Sequence, residues 1–158
     1  LPLFGGIELK YNLGNEEFLR VEEIRVIPVY DEMEITIFNP YENENVSFLQ
    51  IDFQTDKFYS KNYTEQLEIN FSNRNQLNSL FEIEKAIGFA GIYDGRKEGF
   101  YTLKNPKNGI FVFVINGAFE VENRLLEAKD GLSLQEVSEI EWEALSENAI
   151  LLVFEVTL

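Results

Sequence analysis

The side chains that could do chemistry in this chain are nearly all carboxylates, and they come in short runs. Asp31, Glu32 and Glu34 offer oxygen ligands for a hard cation, and Glu139, Glu141 and Glu143 repeat the pattern beside Trp142. In both runs the carboxylates alternate with apolar residues, Met33 and Ile35 in one and Ile140 and Trp142 in the other. That period of two is the solvated face of a strand rather than a ligand set. Carboxylates on such a face lack the burial that raises a pKa for acid–base work. Asp94-Gly95-Arg96-Lys97 holds two of the few basic residues and could take an anion, but it reads better as a hairpin turn with solvated charges. Asn45-Val46-Ser47, Asn62-Tyr63-Thr64 and Asn70-Phe71-Ser72 fit the glycosylation acceptor pattern, which an Asn-rich chain produces by chance.

What is missing narrows the chemistry further. The chain has no His and no Cys. That excludes the usual general base near neutral pH, thiol catalysis, disulfides and the commonest transition-metal ligands, so any metal would need an all-oxygen site. No phosphate-binding Gly loop is present. With 28 acidic against 13 basic residues the formal charge is −15, a field that repels phosphate backbones and anionic membranes. Neither nucleic acid nor membrane is expected as a partner. The only Met is Met33, so the chain is expected to be a processed product or a piece of a longer protein. No signal peptide or transmembrane segment is legible, and a cytoplasmic location is the expectation, although the lack of Cys leaves the redox compartment open.

The elements that would position any site are strands. Hydrophobic residues make up 45% of the 158 and aromatics 14%, enough for a packed core. Leu1 to Glu8 predicts a strand entering a turn at Gly5-Gly6, and Leu13-Gly14-Asn15 another turn. Phe18 to Ile27 is β-prone, Met33, Ile35 and Ile37 alternate, and Val46 to Phe53 predicts a further strand. Residues 56–79 turn polar and read as a connection, which still carries Phe58, Tyr59, Tyr63, Leu67, Ile69 and Phe71. Asn75 to Ala86 predicts a short helix, and Ile87 to Tyr93 a strand closed by Asp94-Gly95. Ile110 to Ile115 is a β-branched and aromatic run ended by Asn116-Gly117, a two-residue hairpin signal. Ala118 to Glu122 alternates, Lys129-Asp130-Gly131 is a turn, and Ala149 to Val156 is a second apolar run, too short to span a membrane.

The two halves resemble each other. At an offset of 107 residues, Phe18 to Glu23 lies against Leu125 to Asp130, and Glu32 to Thr36 against Glu139 to Glu143. This pairs Ile35 with Trp142 as equivalent inward positions. After a longer loop, Phe48 to Phe53 lies against Leu151 to Val156. The order suggests a duplicated β unit whose first copy lacks its opening strands.

Nearly the whole chain then resembles a pirin-like protein, of the bicupin family. The resemblance is carried by Gly5 to Asn15, Phe38-Asn39-Pro40, Phe48-Leu49-Gln50-Ile51, Tyr63 with Gln66, and Asn75 to Leu80. In the second half Gly117 to Val121, Leu125 to Ala128, Asp130-Gly131 and Leu151 to Phe154 carry it. The resemblance implies an all-β fold of duplicated cupin jelly-roll β-barrels. Here the second barrel is expected complete and the first incomplete: a partial N-terminal cupin unit over 1–55, the connection over 56–79 and a C-terminal cupin unit over 80–158.

The family's first barrel commonly holds a metal through three histidines and one glutamate, two of them from a His-Ser-Glu triplet. Phe38-Asn39-Pro40 sets the register, and Ile35, Thr36 and Ile37 occupy the triplet. Neither isoleucine can ligate, and the other two histidines would fall upstream of Leu1. In the second barrel the ligand-bearing stretch, Leu103 to Ile115, holds no carboxylate, His or Cys. The resemblance therefore implies a non-catalytic pirin-like cupin with a binding or assembly role, its metal site lost, with no catalytic, cofactor-binding or metal-binding residues and no cofactor. Two rivals are the remnant of a metal-dependent quercetinase-like dioxygenase, and a small-molecule sensor using an apolar barrel cavity. The first barrel's open edges make a homodimer the expected assembly.

Overall fold

The computed structural model describes residues 1–12, 14–53, 65–69 and 71–158, with 65 and 66 described by backbone alone. Among these residues sixteen strands form and no helix. The turn expected at Leu13, the connection's Phe58, Tyr59 and Tyr63, and the triplets at Asn62 and Asn70 lie wholly or partly outside the described residues. The chain makes two compact units, Leu1–Ile69 and Asn70–Leu158.

The first unit contains β1 (Pro2–Phe4), β2 (Ile7–Tyr11), β3 (Glu16–Leu19), β4 (Glu23–Val26), β5 (Ile35–Phe38), β6 (Ser47–Phe48) and β7 (Glu65–Glu68). They form three small antiparallel sheets: β1 with β6, β4 with β7, and the three-stranded β3-β2-β5. Alternation along β2 and β3 buries Ile7, Leu9 and Leu19, with Tyr11, Ile27, Ile37 and Val46 packed around them. Gly5 and Gly14 both take positive φ at the predicted turns. The strand expected over Val46 to Phe53 shrinks to Ser47–Phe48.

The second unit contains β8 (Asn78–Ile83), β9 (Ala86–Tyr93), β10 (Glu98–Thr102), β11 (Gly109–Asn116), β12 (Ala118–Val121), β13 (Arg124–Glu127), β14 (Gly131–Leu134), β15 (Glu139–Ala144) and β16 (Ala149–Val156). They make two antiparallel sheets, β14-β11-β16-β9-β8 and β10-β15-β12-β13. The sheets share one core, to which Ile110, Val112, Val114, Leu151 and Val153 come from the first sheet and Phe119, Val121, Ile140, Trp142 and Ala144 from the second. The helix expected over Asn75 to Ala86 is instead strand β8. Leu80 is its one buried position and sits where the ladder to β9 shifts register, between Ser79 opposite Phe89 and Phe81 opposite Gly88.

The all-β expectation holds, but the closed jelly-roll barrels do not. Among the described residues no sheet closes on itself. A barrel needs a continuous hydrogen-bond ladder, and here consecutive strands repeatedly change sheet: β9 to β10, β11 to β12, β13 to β14 and β15 to β16. The strands on either side of each corner do not pair, so side chains rather than backbone bonds join the two sheets. β14 and β8 remain open edges of one sheet, β10 and β13 of the other.

Asn116-Gly117 is therefore a corner and not a hairpin. Gly117 has φ +77°, and a Cβ there would meet Ser146 Oγ at 2.4 Å and Ala149 Cβ at 2.9 Å. The Ala118 amide donates to the same Ser146 hydroxyl at 3.0 Å. The dipeptide marks the left-handed conformation and does not say which strand pairs with which. Asp94-Gly95-Arg96-Lys97 is likewise a corner, since β9 and β10 lie in different sheets.

The pairing order β3-β2-β5 recurs as β13-β12-β15. Leu19 opposes Ile7 as Leu126 opposes Phe119, and Leu9 opposes Ile37 as Val121 opposes Trp142. Ile37, not Ile35, is thus the counterpart of Trp142. A slip of two residues preserves the face and so leaves the alternation unchanged.

Candidate functional site

The resemblance points first to β5. Ile37 packs on Ile7, Leu9 and Leu19, and Ile35 is half-buried opposite Tyr11. Both place hydrocarbon where a ligand would need a lone pair, so the residues present do not fit a metal. Beside them lies a polar network instead. Arg25 pairs with Glu17, and the Tyr11 hydroxyl donates to Glu17 at 3.3 Å. Burial, followed by lesser effects including the Glu17 charge, raises the Tyr11 pKa. A carboxylate neutralised by a guanidinium is a poor ligand. Glu23, buried, accepts from the Arg20 amide at 2.6 Å and closes the turn into β4. Among the described residues no group of three or more His, Cys, Asp or Glu could hold a metal ion.

The interior of the second unit is filled by aromatics. Tyr93 meets both Phe119 and Trp142 edge to face, with ring centroids 5.9 Å apart. The indole lies flat against β10, where a Cβ on Gly99 would sit 2.6 Å from it. Burial pushes the Tyr93 pKa up to about 12. β11 contributes Ile110, Val112 and Val114 to this core and no donor or acceptor side chain.

Only the second carboxylate run is where alternation puts it; Asp31, Glu32 and Glu34 lie in the turn and loop before β5 and not on a strand face. Glu139 and Glu141 are exposed, Ile140 and Trp142 buried, and Glu143 is half-buried. Glu139 accepts from the Thr102 hydroxyl at 2.7 Å, and Glu143 pairs with Arg96 at 3.0 Å. Asp31, Glu32 and Glu34 are exposed. Asp94 is tied to Arg74 and to Asn75 Nδ2, and these bonds hold its carboxyl below the usual range.

One group escaped the sequence reading. Glu155 sits on the inward side of β16 and is 1% exposed. It accepts from the Tyr101 hydroxyl (2.6 Å), the Lys104 and Asn105 amides (2.9 and 3.0 Å) and Asn108 Nδ2 (2.6 Å). Burial by itself would raise its pKa, but the four donors outweigh that and the net shift is downward. The signal was available: in Ala149 to Val156 it is the only charge, on the same parity as Leu151 and Val153. Every acceptor position faces the chain's own donors, so Glu155 anchors the 104–108 loop and offers nothing to a ligand.

Open antiparallel sheets facing across a common core, repeated in part and, among the described residues, without a ligating cluster, define a cupin-type protein. Residues 71–156 match the family of quercetinase C-terminal cupin domains, and the chain belongs to that family, within the pirin and cupin superfamily. Among curated proteins none matches its sequence. The chain is similar in fold to Escherichia coli YhhW solved with nickel(II), at 16% identity and TM-score 0.84 over 99% of this chain and 70% of that one. It is similar to Escherichia coli YhaK at 13% identity and TM-score 0.77, over 100% and 74%. A quercetin 2,3-dioxygenase from Acinetobacter baumannii aligns at 15% identity and TM-score 0.73, over 99% of this chain and 57% of that one.

Proposed function

We propose that this protein is a non-catalytic cupin that works by binding. The observation that supports the reading best is hydrocarbon at both ligand positions on β5, where Ile37 belongs to the core. The rival dioxygenase reading draws on the likeness to the Acinetobacter quercetin 2,3-dioxygenase. It requires a metal that Ile35 and Ile37 cannot hold. The sensor reading requires an internal cavity, and Tyr93, Phe119 and Trp142 fill the core of the second unit. Purified protein is expected to carry no stoichiometric Fe, Ni, Cu or Zn after dialysis, and to consume no oxygen with a flavonol. About one transition metal per chain, or metal-dependent oxygen uptake, would overturn the reading.

Assembly as a homodimer that buries the first unit belongs to the same proposal, motivated by the edges of its small sheets, β1-β6, β4-β7 and β3-β2-β5. Light scattering over a concentration series in moderate salt is expected to show mass rising towards two chains. A strictly monomeric mass at high micromolar concentration removes the dimer and leaves binding of another partner.

A further inference from the structure

The corner between β11 and β12 carries one of the chain's two Asn-Gly dipeptides, Asn116-Gly117; the other, Asn108-Gly109, opens β11. An asparagine followed by glycine carries its own reactant. The side-chain amide carbon is an acyl group close to the next main-chain nitrogen, and a glycine has no Cβ to shield that nitrogen. Whether the two meet depends on what holds each of them.

The fold treats the two dipeptides differently. Asn108 is half-buried. Its Nδ2 donates to Glu155 Oε1 at 2.6 Å, and its main-chain N–H to the Asn105 carbonyl at 2.9 Å. Gly109 is buried and takes its place in the ladder opposite Val156. Reaction there requires the buried Glu155 network and the end of the ladder to open together. Asn116 is exposed, and it ends β11 where the ladder to β16 shifts register. Its Nδ2 donates to the Asn148 carbonyl at 3.0 Å in an exposed contact. Gly117 lies outside the strands, and among the described residues its N–H donates no hydrogen bond. One exposed hydrogen bond restrains the amide, and none holds the nitrogen.

We propose that Asn116-Gly117 is a site of spontaneous covalent modification in the folded protein, converting to isoaspartate and aspartate with water as the only co-reactant. The Gly117 nitrogen attacks Asn116 Cγ and gives up its proton. The new C–N bond closes a cyclic imide as the Cγ–Nδ2 bond breaks, and the side-chain nitrogen leaves as ammonia. Water then opens the imide at either carbonyl. Opening at the main-chain carbonyl of Asn116 routes the backbone through the side chain, as isoaspartate; opening at Cγ gives aspartate.

Both products work against the corner. Each loses the Nδ2 donor to the Asn148 carbonyl and gains a negative charge. Isoaspartate also adds a methylene to the main chain beside Gly117, whose surroundings lack room even for a Cβ, since Ser146 Oγ and Ala149 Cβ stand where it would go. The same Ser146 hydroxyl holds the Ala118 amide at 3.0 Å. β11 and β12 belong to different sheets, so the modification loosens the second unit at a seam that no backbone ladder crosses.

The test incubates the full chain at mildly alkaline pH, folded and in parallel unfolded in guanidinium chloride. Both dipeptides are followed by peptide mass spectrometry, with fragmentation that separates isoaspartate from aspartate. In the unfolded chain the two sites are expected to convert at similar rates, because only local sequence acts. In the folded chain Asn116 is expected to convert at least about tenfold faster than Asn108. Aged protein is expected to unfold at lower denaturant than fresh protein. Asn116→Gln, which keeps an amide, is expected to show neither the mass change nor that loss. Equal folded rates at the two sites would overturn the proposal, as would an Asn116 that stays intact in the folded chain while it converts in the unfolded one. So would an Asn116→Gln variant that loses stability on ageing as fast as the parent. Should that variant not fold, the parent's own comparison of the two sites still decides.

Discussion

Replacing Trp142 with Asp is expected to unfold the second unit. Trp142 is 3% exposed and packs on Tyr93 and against the bare backbone of Gly99. Truncating such a ring in a filled core costs about 3–5 kcal/mol, and a buried carboxylate without a partner adds several more. The sum reaches the whole stability of an ordinary domain, about 5–15 kcal/mol. Trp142→Phe should be far milder. It leaves a gap, but it also removes the indole N–H, which among the described residues is buried without an acceptor. Glu141→Lys, one residue away on the exposed face, should change stability by no more than about 0.5 kcal/mol. Urea titration followed by circular dichroism separates the three. Equal effects at positions 141 and 142 would mean that the strand register is wrong.

Glu155→Ala is expected to cost about 3–5 kcal/mol, because it strands four donors that now converge on one buried carboxylate. The effect has a pH signature. The folded pKa of Glu155 lies below its ordinary 4.5, so its contribution is fully present above that value. It is lost as the pH falls through the lower folded pKa. The parent should lose stability on acidification below about pH 4.5, and the alanine variant should lose less over the same window. Unfolding midpoints at pH 7 and pH 3 test this. A parent–variant gap that stays constant with pH would remove the carboxylate from the account.

Much of this fold could be read from alternation, and the failures are of one kind. A period of two tells which side chains face inward, as it did for Ile140 and Trp142 and for Glu139 and Glu141. It cannot tell whether a ladder closes: the resemblance implies barrels, and the sheets are open. Nor can it detect a slip of two residues, and Ile35 was matched to Trp142 where the ladder matches Ile37. Asn116-Gly117 reported a positive φ correctly, but pairing is decided by tertiary partners that no dipeptide encodes. The loss of ligands at Ile35 and Ile37 was legible because it is a matter of residue type. Glu155 was not singled out, since a lone charge at the end of an apolar run looks like a boundary until its four donors, 47 to 54 residues away, are in place.

The position of β16 also governs how the molecule can come into being. It is the last strand of its sheet in chain order, yet it lies in the middle, with β11 on one side and β9 on the other. As the chain leaves the ribosome, β8 with β9 and β11 with β14 can each pair, but neither pair has the neighbour that joins them. Until Ala149–Val156 emerges, β9 and β11 both present unpaired edges rich in β-branched and aromatic residues. Such long-range closure is slow, and the waiting edges are templates for other chains. β16 is thus expected to limit the folding of the second unit.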